Sequence, residues 1–121
     1  MNFLFGVPGG ALGAVLRYAI SLIPVKTDFP ILTLVTNIVG AVAIGFIVGI
    51  VSEKENTSPK TVLFWKTGVC GGFTTFSTFS LEAVTLFENK MYCFGGLYVA
   101  LSVAFCLLGV FCGKRLASVV A

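Results

Sequence analysis

The sequence predicts an all-α integral membrane protein, four transmembrane helices forming a single domain over residues 1–121. Three observations predict it. Apolar residues make up 57% of the chain and charged residues only 11%, roughly half the charged share of a soluble domain. A soluble core could not hide that much apolar sequence, and the excess would be exposed as large sticky patches. The apolar residues also gather into four stretches of about 20, the number needed to cross a hydrocarbon core of roughly 30 Å.

The first stretch covers residues 2–23 and has no basic leader, so it reads as retained rather than cleaved. Loop residues with two prolines, Pro24 and Pro30, follow. The second span covers 31–52, and a polar connection leads from Glu53 to Lys60. The third covers 61–87 and ends at a turn, Glu88-Asn89-Lys90. The fourth covers 91–113 and is closed by Lys114-Arg115. An even number of spans puts both termini on one side. That side carries Lys54, Lys60, Lys66, Lys114 and Arg115, against Arg17, Lys26 and Lys90 on the other. So small a bias fits either one weakly signalled orientation or insertion both ways.

Composition excludes several classes. The net charge of +3 is scattered, with no basic run beyond Lys114-Arg115, so nucleic acid is not a partner. Without histidine there is no imidazole relay or triad. Cys70, Cys93, Cys106 and Cys112 form no CxxC pair, and they fall within apolar stretches, where a thiol packs as a small apolar group. Nucleophile, base and metal sets are missing, and so is a phosphate-binding loop; the sequence does not read as an enzyme. Small residues recur at four-residue spacing, in Gly6-Gly10-Ala14 with Gly9-Gly13, in Ala41-Gly45-Gly49 and in Gly109-Gly113. Such stripes let helices approach closely in lipid. Four short helices enclose little interior, so some stripes are expected to meet a second copy.

The third span carries GVCGGFTTFSTFS, residues 68–80. Gly68, Gly71 and Gly72 weaken the helix at mid-membrane, since glycine adopts backbone angles that other residues resist. A break there frees backbone groups that cannot face lipid unsatisfied. Hydroxyls can cap them in a packing kink, or they can bind an ion. Phe73, Phe76 and Phe79 fall at every third position, and Thr75, Thr78 and Glu82 trace a second stripe. Aromatic edges are electropositive, so one side could touch a small anion while hydroxyls on the other donate to it. The aromatic stripe is equally consistent with plain core. Asn37, one turn after Thr33, offers two N–H donors or an interhelical hydrogen bond. Tyr98 and Ser102 continue a donor line, unless Tyr98 belongs to an interfacial belt. Arg17 snorkels to the interface or gives an anion entrance its positive potential. Glu82 is the one acid well inside a span, and an ionisable group there is a functional suspect by default.

Three blocks together resemble the Fluc, or CrcB, family of fluoride channels: GGALGAVLRY (9–18), TLVTNIVGAVAIG (33–45) and the third-span motif with Leu81-Glu82. The third block is the specific one. The resemblance implies an antiparallel, dual-topology homodimer with two pores in a bacterial inner membrane. It implies a structural sodium ion at the dimer centre, held by backbone carbonyls of Gly71 and Thr74 where the third helix breaks. It implies ring edges of Phe76 and Phe79 along a passive fluoride path. Asn37 stands beside them, and Tyr98, Ser102, Ser77, Thr78 and Glu82 match a polar track with Thr33 nearby; Arg17 lies towards a vestibule. This sequence departs from the family pattern at Thr36 and Val42, where an apolar residue and a phenylalanine are usual, and at Cys106, where a hydroxyl is expected. The alternative is a small dual-topology drug or cation antiporter. That class wants a central acid in its first helix, which this chain lacks.

Overall fold

The computed structural model describes residues 3–24, 29–53 and 58–120. Lys26, Lys54 and Asn2, the first residue of the expected first span, lie outside them. The described residues form helices and turns, without a strand. Helix α1 is Phe3–Ser21 and α2 is Ile31–Glu53. Helix α3 occupies residues 59–73 and is built from three windings: α-helical Pro59–Val62, π-helical Leu63–Cys70 and α-helical Gly71–Phe73. Helix α4 is Phe76–Glu88 and α5 is Tyr92–Val120. Three of these, α1, α2 and α5, are unbroken and apolar enough to cross a membrane. Helices α3 and α4 lie in series between α2 and α5, separated by the non-helical residues Thr74 and Thr75.

Each boundary has a local cause. Ser58 caps α3 by accepting from the Lys60 N–H, and Pro59 follows at a position where its missing N–H costs nothing. The turn after α4 closes with bonds from the N–H groups of Asn89, Lys90 and Met91 to carbonyls of Thr85, Phe87 and Leu86. Lys90 takes the left-handed conformation there (φ 62°). Helix α5 has 29 residues and continues past Gly113 through the basic pair to Val120. It therefore outlasts the expected fourth span by seven residues. At 1.5 Å per residue it is about 43 Å long, more than the hydrocarbon needs.

Glycines weld the bundle into two helix pairs. Helix α1 lies against α3, which runs in the same direction. A Cβ on Gly9 would stand 2.5 Å from the Phe64 carbonyl oxygen, and one on Gly68 would stand 2.8 Å from Gly9 Cα. Gly13 meets the Val69 carbonyl in the same way, and Gly72 meets the Gly10 carbonyl. The second pair is α2 with α5. Gly45 abuts the Val110 carbonyl, Gly113 abuts the Val42 carbonyl, and a Cβ on Gly49 would come within 2.6 Å of Ala117 Cβ. Most of the small-residue stripes are thus consumed inside one chain. Gly6, Gly71 and Gly96 keep open space where a Cβ would go.

The apolar core is small and lies at one end, where Leu34, Ala83, Leu86 and Tyr98 pack with Phe79 and Leu101 around them. Many large apolar side chains stay exposed, as expected of a surface in contact with lipid or another chain. The glycine contacts lead to a test. Gly13→Val drives a side chain into backbone that cannot yield, and should destabilise the fold by about 3 kcal/mol, read as a lower thermal midpoint in detergent. Gly6→Ala should leave that midpoint unchanged.

Candidate functional site

Helix α3 stops at Thr74 and Thr75. Both are extended, with φ/ψ of −85°/154° and −148°/126°, conformations that suit β-branched residues. The glycines are not the break. Gly71 is helical (φ −64°, ψ −38°), and no described glycine has a positive φ. Their work is close approach to α1; the interruption comes two residues later.

The extended pair is held by one side chain. The Thr75 N–H donates to Asn37 Oδ1 (2.9 Å), and Asn37 Nδ2 donates to the Thr75 carbonyl (3.1 Å). The amide thus pairs with both backbone groups of Thr75, as a neighbouring strand would. One Asn37 N–H remains for another acceptor. Thr74 closes α3, its N–H and its hydroxyl both donating to the Cys70 carbonyl (3.0 and 2.9 Å). Thr75 Oγ1 caps α4 by accepting from the Thr78 N–H (3.2 Å) and lies 3.3 Å from the hydroxyls of Ser77 and Thr78.

These bonds release carbonyls. In an unbroken helix the Gly71 carbonyl would accept from the Thr75 N–H, and the Thr74 carbonyl from the Thr78 N–H. Both donors are engaged elsewhere. The Gly72 carbonyl, also at the break, accepts from Arg17 Nε (3.3 Å). Arg17 is therefore turned towards the break, which the interfacial snorkelling position does not require.

The break also resets the helical phase. Phe73 is buried in the α1–α2 side of the bundle and belongs to a different helix from Phe76 and Phe79. The expected three-phenylalanine stripe therefore reduces to two rings, and Thr75 is a cap rather than a member of a helical hydroxyl stripe. Phe76 is 78% exposed, with its centroid 5.5 Å from Phe79; Phe79 lies 5.1 Å from Tyr98. Tyr98 is wholly buried, which removes it from any interfacial belt, and its hydroxyl donates to Glu82 Oε1 (3.1 Å).

Two cavities flank Thr75. An open groove of about 460 Å³ runs between α2, the α3–α4 break and α5. It brings together Asn37, Gly71, Thr74, Phe76, Phe79 and Ser102, with Cys70 and Cys106 on its walls. Ser102 Oγ is buried and has no hydrogen-bond partner among the described residues. A small pocket of about 70 Å³ lies on the other side, lined by Arg17, Ser21, Leu32, Thr33, Thr36, Thr75 and Thr78. The sequence-predicted residues therefore divide between two places. Ser77 is exposed beside the cap, and the Glu82–Tyr98 pair, in neither lining itself, adjoins the groove through the contact of Tyr98 with Phe79. Thr36, noted in the sequence only as a departure, is 3% exposed and contributes to the small pocket.

Asn37 generates a direct prediction. Asn37→Ala strips two half-buried backbone groups of their partner, at about 1 kcal/mol each. Its thermal midpoint in detergent should fall clearly below that of Asn37→Asp, which keeps the acceptor for the Thr75 N–H. Equal midpoints for both variants and the parent would show that the bracket carries no stability.

A family model described as "CrcB-like protein, Camphor Resistance (CrcB)" matches residues 4–114. A protein of Ruminiclostridium cellulolyticum named "Fluoride-specific ion channel FluC" is 47% identical over 116 residues, covering 93% of this chain and 89% of the relative. Proteins of the same name from Elusimicrobium minutum and Agrobacterium fabrum are 41% and 40% identical, covering 98% and 96% of this chain and 94% and 95% of theirs.

Proposed function

The chain belongs to the CrcB-like family, and from that premise we propose that it is a fluoride-specific ion channel of the membrane, passive and not an enzyme. One observation carries the reading at the level of side chains: a single groove gathers two aromatic edges, a spare amide N–H and an orphaned hydroxyl. A buried hydroxyl without a partner costs about 1–3 kcal/mol, and an acceptor entering the groove would relieve Ser102. Phe76 and Phe79 offer electropositive ring edges while excluding water. Asn37 offers its second N–H. The small pocket, with the Arg17 charge and the hydroxyls of Thr33 and Thr78, serves as the entrance. Ser77 and the Glu82–Tyr98 pair extend the polar lining.

Passive conduction suffices to expel the ion. A potential of 100 mV, inside negative, is worth about 2.3 kcal/mol per charge. At about 1.4 kcal/mol per decade, that sustains roughly a fiftyfold imbalance of a monovalent anion. An antiporter would need a titratable acid free to exchange protons at the centre; α1 has none, and Glu82 is held by Tyr98.

The working unit in this reading is an antiparallel homodimer with dual topology, two pores and a sodium ion at its centre. The groove is open along one side, Phe76 is largely bare and Gly71 faces empty space, so a second copy has a surface to cover. The residues fit a hard cation, which prefers oxygen ligands. Gly71 and Thr74 each have a carbonyl whose helical partner is engaged elsewhere, and two copies would double that number. When bound, sodium supplies fixed positive charge and ties the copies together. The relatives' bacterial origin supports an inner-membrane location.

Purified protein in liposomes should release fluoride but not chloride without a proton gradient. Release no faster than from empty vesicles would overturn the reading. Phe76→Ile and Phe79→Ile should each slow release at least about tenfold while the dimer persists on size exclusion; undiminished release in both removes the rings from the path. Exchange of sodium for N-methylglucamine during purification should lower the dimer fraction, and an unchanged fraction counts against the central ion.

A further inference from the structure

Lys66 lies within the third crossing and takes no part in the site above. It is the sole basic residue between Lys60 and Lys90, and it is exposed. A charge within a span is costly and calls for a function. The acids of this crossing, Glu82 and Glu88, both belong to α4, beyond the break. Among the described residues Lys66 has no ion pair.

The winding of α3 fixes the face on which Lys66 lies. Phe64 and Gly68 back onto Gly9 of α1. Residues two further along, Lys66 and Cys70, fall on the opposite side. A π-helix holds more than four residues per turn, so Lys66 and Cys70 stand one turn apart on a shared face. Cys70 lines the groove. Lys66 thus lies one turn before Cys70, towards the start of α3, on the face that Cys70 shares with the groove. Lys60, by contrast, faces α1, with its Nζ 5.4 Å from the centre of the Phe5 ring. Arg17 lies past the break, on the small pocket. The break is therefore flanked by two cations, Arg17 on one side and Lys66 on the other.

We infer that Lys66 is a steering residue for small inorganic anions, raising their local concentration at the end of the groove that Arg17 does not serve. A single charge acts strongly there because low-dielectric walls focus its field. The inference rests on the reading of the groove as an anion route.

The test uses the full chain in phosphatidylcholine liposomes, with valinomycin to clamp the potential and a fluoride electrode to follow efflux at subsaturating fluoride. Lys66→Gln should slow efflux about three- to tenfold at 10 mM ionic strength, and Lys66→Glu more. Both losses should shrink towards nothing at 0.5 M, where charges are screened within a few ångströms. Lys60→Gln should stay within about twofold of the parent. Unchanged efflux in both Lys66 variants at low salt overturns the inference and leaves a side chain that merely snorkels to lipid. So does a loss that salt does not relieve, or an equal loss in Lys60→Gln. A parent chain that releases no fluoride removes the channel reading itself, and this inference with it.

Discussion

A backbone cannot stop being helical inside a membrane unless something replaces the hydrogen bonds it gives up. In this protein the replacement is one carboxamide. Asn37 answers the N–H and the carbonyl of Thr75 together, and the rest of the site follows. Because Thr75 is held extended, its hydroxyl is free to cap α4, and carbonyls at the end of α3 are left without their helical donors. Because α4 starts afresh, Phe76 and Phe79 turn into the groove rather than following Phe73 into the bundle. Two hydrogen bonds to one residue thus produce the cap, the freed oxygens and the position of the rings.

The bracket works only if α2 and α3 meet at a fixed height, and Gly40 of α2 provides that, since a Cβ there would collide with the Thr74 side chain; the other glycines hold each of these helices to its neighbour. Gly9 and Gly13 seat α1 on α3, and Gly45, Gly49 and Gly113 seat α2 on α5. Contacts between bare backbones leave little room for sliding, since a methyl group at any of them would collide with main-chain or side-chain atoms. Arg17 adds a polar tie across the first pair by donating to Gly72. The crossing elements are rigid where they touch, and the open space gathers where they do not, around Gly71.

Much of this architecture was legible in the sequence because its signals are strong. Apolar stretches of bilayer length and the third-span motif pointed to the all-helical fold and to the family. Asn37, Phe76, Phe79 and Ser102, which the resemblance assigns to one path, line one groove, and so do Gly71 and Thr74, which it assigns to a separate central ion site. The function of the glycines was not legible. A glycine can mark a flexible backbone or a close contact, and the letters alone do not separate the two. The phase reset was missed for a related reason: spacing by three is a helical stripe only while the helix continues, and Thr74-Thr75 interrupts it. A β-branched pair followed by a hydroxyl three residues later was the available clue to an N-cap. The pairing of Glu82 with Tyr98 depends on how α4 leans on α5, which no local pattern encodes.

The slack winding of residues 63–70 has a consequence for how this chain can change. Two helices of unequal pitch behave like the scales of a vernier, coinciding at a few marks only. Here the marks are Gly9 with Gly68 and Gly13 with Val69. A π-wound stretch holds more residues than an α-helix over the same turns, so removal of one residue would let it rewind as α-helix and keep the later marks near register, whereas insertion of one would carry them off. Tolerance of loss and tolerance of gain therefore come apart in this segment: Trp65 and Thr67, both exposed, stand where the chain has a residue to spare and no room for another.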